Sequence, residues 1–294
     1  MKWWTIVRLE PTGVCVLPER LRNAVRWRRL AGWLGGAIGI LLLLAFLWGP
    51  LFPFSPVKPG YRVFRFQRVV LVAPENRTPH PSFLELDRQL WEAEKFHQLP
   101  GPNRLTIVVC RDWGDFYRFM PHFRGWKGLG MALHLINTIY LTPAIQEHGF
   151  DEEEAVRHEI SHAVLNSNCS FRAALQMKRH QWITEGLAVW FQGGRRFLRD
   201  DEFVARARHQ DLLRIIPPAR DLPVSLESLP FRYAAWHFFL RYLVERYGRE
   251  NLQRFLLAYL EDPDSHREHF AKVYGRNLPD VVASFQEVVR QGHL

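Results

Sequence analysis

One pentapeptide, His158-Glu159-Ile160-Ser161-His162, is the most informative stretch of this 294-residue sequence. The periodicity around it predicts a helix that Asp151 can cap and that runs to about Asn166. Residues four apart project from the same face of a helix, so the two imidazoles lie one above the other. Neutral imidazole is a good zinc ligand, and the pair therefore predicts half of a tetrahedral zinc site.

Glu159 directly follows the first histidine. Its carboxylate would lie beside the open coordination position, where it can take a proton from zinc-bound water as a general base. A structural zinc site needs no such base and closes its fourth position with a protein ligand. The presence of Glu159 therefore favours a catalytic site over a structural one.

A third zinc ligand is expected from the next apolar segment. Residues 181–191 are apolar on nearly every side, which predicts a buried helix, yet they include the carboxylate of Glu185. Burying a carboxylate is costly unless it is paired or bound to a metal. Zinc at the histidine pair is the simplest partner, and an ion pair with an arginine is the alternative. Gly186 would let this helix approach the histidine helix closely.

The two motifs together resemble the gluzincin metallopeptidases, specifically the peptidase MA-like group. The second motif, Trp182-Ile183-Thr184-Glu185-Gly186, is similar to that group's W-x-x-E-G pattern. The resemblance implies zinc, with Glu159 as general base. It also implies an edge strand that flanks the substrate, which here would be Met131–Leu141. The zinc ligands that it implies are His158, His162 and Glu185.

A later segment, Phe231 to Leu240, resembles the helices that close the fold of this group. Zinc peptidases usually add a donor for the oxyanion, commonly Tyr or His. Tyr233 and His237 lie four apart on one face of the predicted helix, and Tyr233 is the preferred catalytic candidate. The alternative is that both are core residues.

Two features depart from the family pattern. Many gluzincins carry an acidic residue four positions after the glutamate ligand, where it orients a ligand histidine through its second nitrogen. Val189 occupies that position, so the partner of the histidines stays open. The G-x-M-E-N signature of zinc aminopeptidases is also missing, which argues against an aminopeptidase. His134, on the predicted edge strand, could contact substrate or be plain surface.

The N-terminal region predicts a membrane anchor. No charge occurs in the 28 residues between Arg29 and Lys58, and a transmembrane helix needs only ~20. The first 30 residues hold seven basic and two acidic groups, so five of the nine net positive charges directly precede the apolar run. The positive-inside rule then places the N-terminus in the cytoplasm and the chain after Pro56 outside it. A cleaved signal peptide is the alternative.

The predicted organisation has four parts: a basic cytoplasmic segment (1–30), a single transmembrane helix (31–54), a linker (55–60) and a zinc metallopeptidase-like domain (61–294). Apolar runs in the domain predict strands within Tyr61–Val72, Arg104–Cys110 and Ala132–Leu141. After Asp151 the sequence predicts almost only helix. The expected fold class is therefore α+β and zincin-like, with a small mixed sheet and an active-site helix before an all-helical C-terminal half.

The sequence thus predicts a membrane-anchored zinc peptidase, an endopeptidase acting outside the cytoplasm on protein or peptide. Two alternatives remain open: a non-catalytic zinc module that binds a partner, and a zinc hydrolase of a non-peptide amide. No motif indicates a nucleic-acid partner. Cys110 and Cys169 could form a disulfide or remain two separate thiols.

Overall fold

The computed structural model describes residues 19–177, 179–193, 199–218 and 229–293. The chain divides into two compact units. One unit comprises the residues up to Pro59 together with Arg118–Met120, and the other comprises Gly60–Tyr117 and the chain from Pro121 onward.

The main element of the first unit is a long helix, α1 (Glu19–Trp48). Its stretch Trp27–Trp48 is long and apolar enough to cross a membrane, with a mean hydropathy of 2.3. The helix ends at Trp48 rather than at the predicted residue 54, because Gly49 and Pro50 follow and proline cannot continue the hydrogen-bond ladder. A signal sequence near an N-terminus can meet the same criteria of length and composition, so the helix alone does not define topology.

The second unit contains one five-stranded mixed sheet with the strand order β1-β2-β3-β5-β4. The inner strands β2, β3 and β5 are parallel to one another, and β1 and β4 are antiparallel edge strands. Their bounds are β1 (Tyr61–Arg65), β2 (Val69–Pro74), β3 (Leu105–Val109), β4 (Gly130–Leu133) and β5 (Thr138–Leu141).

The strand predicted at Ala132–Leu141 is divided in the structure. A 3-10 turn at His134–Ile136 and the left-handed Asn137 (φ 44°) reverse the chain between β4 and β5. Asparagine adopts this conformation more readily than most other residues. The apolar residues around Asn137 nevertheless predict one continuous strand, so the turn is not evident from the sequence. The expectation of an edge strand over Met131–Leu141 is therefore wrong, since only β4 lies at the edge and β5 is an inner strand.

Helices form most of the remaining described chain. They are α2 (Leu86–His97), α3 (Trp113–Phe119), α4 (Ala144–Glu147), α5 (Glu152–Ser167), α6 (Phe171–Met177), α7 (Gln181–Gln192), α8 (Asp200–Ala207), α9 (Leu212–Ile215), α10 (Leu229–Tyr247), α11 (Arg249–Glu261), α12 (His266–Tyr274) and α13 (Leu278–Gln291). The predicted small mixed sheet followed by a helical C-terminal half is confirmed at the level of fold class.

Helix α5 lies between the sheet and the helical half, in contact with α2, α7 and β4. The side chain of Asp151 caps it by accepting hydrogen bonds from the backbone N–H groups of Glu153 and Glu154. Three glutamates in its first turn also suit the positive end of the helix dipole. The start of the helix is therefore fixed by local sequence, which in turn fixes the direction of the side chains that follow.

Gly186 of α7 faces α10 and not the histidine helix, contrary to the sequence-based expectation. A Cβ added there would lie 3.0 Å from backbone atoms of Trp236 and 2.8 Å from Leu240. Consecutive helical residues point about 100° apart, so when Glu185 faces one neighbouring helix Gly186 must face another. The glycine therefore permits the close packing of α7 on α10.

Cys110 and Cys169 are both free thiols. Cys110 is buried directly after β3, and Cys169 is partly buried shortly after α5. The disulfide alternative is therefore not realised in the structure.

Candidate metal centre

Three side chains from two helices bring ligand atoms together at one point. The Nε2 atoms of His158 and His162 lie 3.1 Å apart. Glu185 Oε2 lies 3.1 Å from the first of these nitrogens and 3.5 Å from the second. Within the described ranges, this is the cluster of three such residues whose ligand atoms could hold a metal ion.

The packing of α7 against α5 creates this cluster. His158 and His162 are one turn apart on α5, and Glu185 reaches them from the first half of α7. All three side chains are largely buried, with exposed fractions of 15%, 17% and 17%. A carboxylate and two imidazoles in such a place need a common partner, because none of them keeps its full hydration.

The spacing of the three atoms suits a zinc ion. Tetrahedral bonds of ~2.0–2.1 Å place the ligand atoms about 3.3 Å from one another, and the three distances here fall close to that value. Two nitrogens and one carboxylate oxygen, with a fourth position left to solvent or substrate, are also the donor set of catalytic zinc sites. The residues present therefore fit the metal.

The two histidines dominate the charge state of Glu185. Burial raises the pKa of its carboxyl group, but the charges and hydrogen bonds of His162 and His158 together outweigh burial. The pKa of Glu185 is consequently held well below its usual range. The carboxyl group is thus ionised in the structure.

The second ring nitrogen of His158 has a partner that the sequence did not reveal. Nδ1 of His158 lies 2.8 Å from Oε1 of Gln192, the last residue of α7. The family pattern places such a partner four residues after Glu185, where this chain has Val189. Gln192 follows Glu185 by seven residues, about two helical turns, so a search of the whole helical face would have found it.

Glu159 is buried between α5 and the edge strand, with 6% of its surface exposed. Its side chain lies directly over Gly130, and the backbone of Ala132 donates a hydrogen bond to its carboxylate. Burial raises the pKa of Glu159 to about 7, against the opposing effect of His158. Strand β4 and Glu159 therefore form one wall of the site.

Tyr233 of α10 completes the group, whereas His237 does not belong to it. The hydroxyl of Tyr233 hydrogen bonds with Glu185, and burial together with that carboxylate raises its pKa well above the usual value. His237, one turn later, packs edge-on against the ring of Trp190 at 6.1 Å. Burial and Arg241 lower the pKa of His237 to about 4, as expected of a neutral core histidine.

His134 lies in the turn between β4 and β5. Its ring stacks on Phe171 at 6.4 Å, with an interplanar angle of 18°. This contact connects the turn to α6.

Comparison with known proteins adds a distant structural similarity. No protein-family model matches the sequence, and no curated protein matches it. Among solved structures, a mutant M1 zinc metallopeptidase from Deinococcus radiodurans is similar at 14% sequence identity, with a TM-score of 0.43. The match covers 80% of this chain and 52% of that one, so the chain spans about half the length of that structure. A likeness this distant shows neither the family nor the function of this chain.

Proposed function

We propose that this chain is a membrane-anchored, zinc-dependent peptidase, an endopeptidase acting on protein or peptide substrates. The observation that carries the proposal is the convergence of three metal-ligand atoms, 3.1–3.5 Å apart, beside the buried carboxylate of Glu159. A structural metal site has no use for an additional carboxylate at this place, and burying one without a role is costly. The zincin-like fold and the roles of the residues below belong to the same proposal.

His158, His162 and Glu185 would hold the metal. When bound, zinc supplies Lewis acidity, which makes water a nucleophile at neutral pH and polarises a carbonyl oxygen. The protein contributes the fixed placement of the three donors, which Gln192 and the packing of α7 on α5 maintain.

Glu159 acts as the general base. Its carboxylate follows His158 on α5 and is held against β4, so it can take a proton from water on one side of the scissile bond. The same carboxyl group then returns that proton to the leaving amine. Burial of Glu159 excludes bulk water from this exchange.

Tyr233 serves as the donor to the oxyanion. Its hydroxyl hydrogen bonds with Glu185, which places it beside the proposed metal ligands. The strand β4 flanks the substrate, because it is a sheet edge beside Glu159. A peptide in extended conformation can add to such an edge by backbone hydrogen bonds.

Metal analysis of the full chain, purified in detergent, tests the proposed site. We expect about one zinc per chain, removed by a chelator and restored by zinc but not by magnesium, because the donors include two imidazoles. Removal should also lower the thermal stability, since three largely buried ligands then lack their common partner. A preparation that binds no zinc after exposure to excess metal contradicts the proposal.

Gly130→Ala should disable the base while leaving the metal site intact. The new Cβ would lie 2.6 Å from Cγ of Glu159 and 2.8 Å from its Cδ and Oε1, so the carboxylate must move. Misplacement by about 1 Å can cost ~10²-fold in rate, and we expect a loss of that order in turnover with zinc content unchanged.

The matched control for Gly130→Ala is Met131→Ala, because successive strand residues point to opposite faces of the sheet. The control should keep most of the turnover. Equal activity of Gly130→Ala and the wild type would show that Glu159 need not occupy its position over β4.

Reporter fusions test the membrane topology. A reporter after Leu294 is expected outside the cytoplasm, and one within residues 1–20 inside it, because the basic flank precedes the apolar helix. If the N-terminal reporter were found outside the cytoplasm and the C-terminal reporter inside it, the proposed orientation would be wrong. Recovery of a membrane-free chain beginning near Pro56 would instead identify α1 as a cleaved signal.

A further inference from the structure

We infer that Gln192 is the residue that makes His158 a metal ligand, by fixing its tautomer and ring orientation through an uncharged amide. The inference rests on the proposed zinc site, and it goes further by assigning a positioning residue that neither motif contains. It also predicts how the charge of that residue sets the affinity for the metal.

The contact itself is short and enclosed. His158 Nδ1 and Gln192 Oε1 lie 2.8 Å apart, and only 8% of the surface of Gln192 is exposed. Water therefore competes little for this hydrogen bond, which is stronger in a buried environment than at a surface.

The direction of the hydrogen bond determines which nitrogen faces the metal. An amide oxygen only accepts, so Nδ1 of His158 must carry the proton. The lone pair is then on Nε2, which points at Nε2 of His162 and Oε2 of Glu185, both 3.1 Å away. The opposite amide orientation would place the proton on Nε2, between the ligand atoms, and is incompatible with metal binding.

A network of contacts holds Gln192 in place. The guanidinium of Arg157, the residue before His158, donates to the backbone oxygen of Phe191 at 3.1 Å and lies over its ring at 4.4 Å. The same group pairs with Glu92 of α2 at 2.6 Å. The C-terminal end of α7 is thus tied to α5 and α2 at the residue adjacent to Gln192.

The neutrality of Gln192 has a chemical consequence. A carboxylate behind a ligand histidine raises the basicity of that ligand, whereas an amide orients it with little such effect. With Glu185 as the one anionic ligand, this chain should therefore hold zinc less tightly than it would with an acid at position 192. Substitution with glutamate should strengthen the site rather than damage it.

The test is the zinc dissociation constant of the full chain in detergent, measured by competition with a chromophoric chelator. Gln192→Met removes the acceptor at similar size, and we expect a 10–100-fold weaker affinity. Gln192→Glu keeps an acceptor and should bind zinc at least as tightly as the wild type. Gln181→Met, at the exposed start of the same helix, is the matched control and should leave the affinity unchanged.

Three outcomes would overturn the inference: an unchanged affinity in Gln192→Met, an equal loss in Gln192→Met and Gln192→Glu, or a wild-type protein without zinc. The last would also remove the proposed function, whereas the first two leave it standing. Thermal unfolding of each variant, measured after a chelator has removed the zinc, shows whether the variant is folded. If Gln192→Met does not fold, Gln192→Asn replaces it, since the shorter amide cannot span the same distance.

Discussion

Glu185→Ala is expected to abolish stoichiometric zinc binding. Glu185 provides the one oxygen among three ligand atoms, and two histidines from a single helix cannot enclose the ion. Loss of an outer-shell partner already costs 10–100-fold in metal affinity, so loss of a ligand should cost more. Equilibrium dialysis against zinc at fixed free concentration measures the effect directly.

The same substitution should remove the stabilisation that zinc confers. A ligand present at 1,000 times its dissociation constant stabilises the folded state by about 4 kcal/mol, and this increment disappears when binding is lost. Thermal unfolding with and without zinc should therefore separate the wild type from Glu185→Ala, while the exposed Glu268→Ala should behave as the wild type. Full zinc occupancy in Glu185→Ala would exclude Glu185 from the ligand set.

Glu159→Gln should fold and bind zinc, yet lose turnover. The amide has the size of the carboxyl group, so the packing against Gly130 is kept, but it cannot accept the proton from water. General-base removal costs ~10²–10⁴-fold in rate, which corresponds to about 3–5 kcal/mol in the activation barrier. The rate on an identified peptide substrate provides the measurement, with Glu268→Gln as the control.

Substitutions of Glu159 and Glu185 should thus have different effects, although both residues are largely buried carboxylates in one cluster. The first substitution should affect rate alone, and the second should affect metal affinity and stability together. Near-normal turnover in Glu159→Gln would show that the proposed mechanism is wrong. Loss of zinc in that variant would place Glu159 among the ligands instead.

The parts of the site that the sequence predicts are those fixed by local geometry. His158 and His162 must share a face because they are four apart on a helix, and the helix itself follows from Asp151 and the apolar spacing. Glu185 was found by a different argument, the cost of a lone carboxylate in an apolar helix. Neither the shared face of the histidines nor the cost of burying Glu185 depends on how the helices cross.

The parts that the sequence does not predict depend on tertiary packing. Gln192 meets His158 only because the C-terminal end of α7 crosses α5 next to it, and Gly130 meets Glu159 only because β4 runs beside α5. Whether Gly186 would face α5 or α10 depends on the rotation of α7 about its axis. The sequence offers both Tyr233 and His237 as donors, and their different neighbours follow from the orientation of α10.

The apolar N-terminal helix shows the same division. Composition predicts an apolar helix, and the structure has one at Trp27–Trp48. The side of the membrane on which the second unit lies is not a property of that helix. It follows only from the charges that flank the helix, and therefore remains a prediction for the reporter fusions.

The central proposal is tested most directly by the protein termini present in cells. The termini in cells that produce the wild type are compared with those in cells that produce Glu159→Gln. Both proteins should be present at equal levels with equal zinc content, so any difference reports hydrolysis alone. We expect new protein termini from extracytoplasmic or membrane proteins in the wild-type cells and their absence in the Glu159→Gln cells. Identical sets of termini in the two strains, with zinc bound in both, would contradict a peptidase and leave a metal site without peptide hydrolysis.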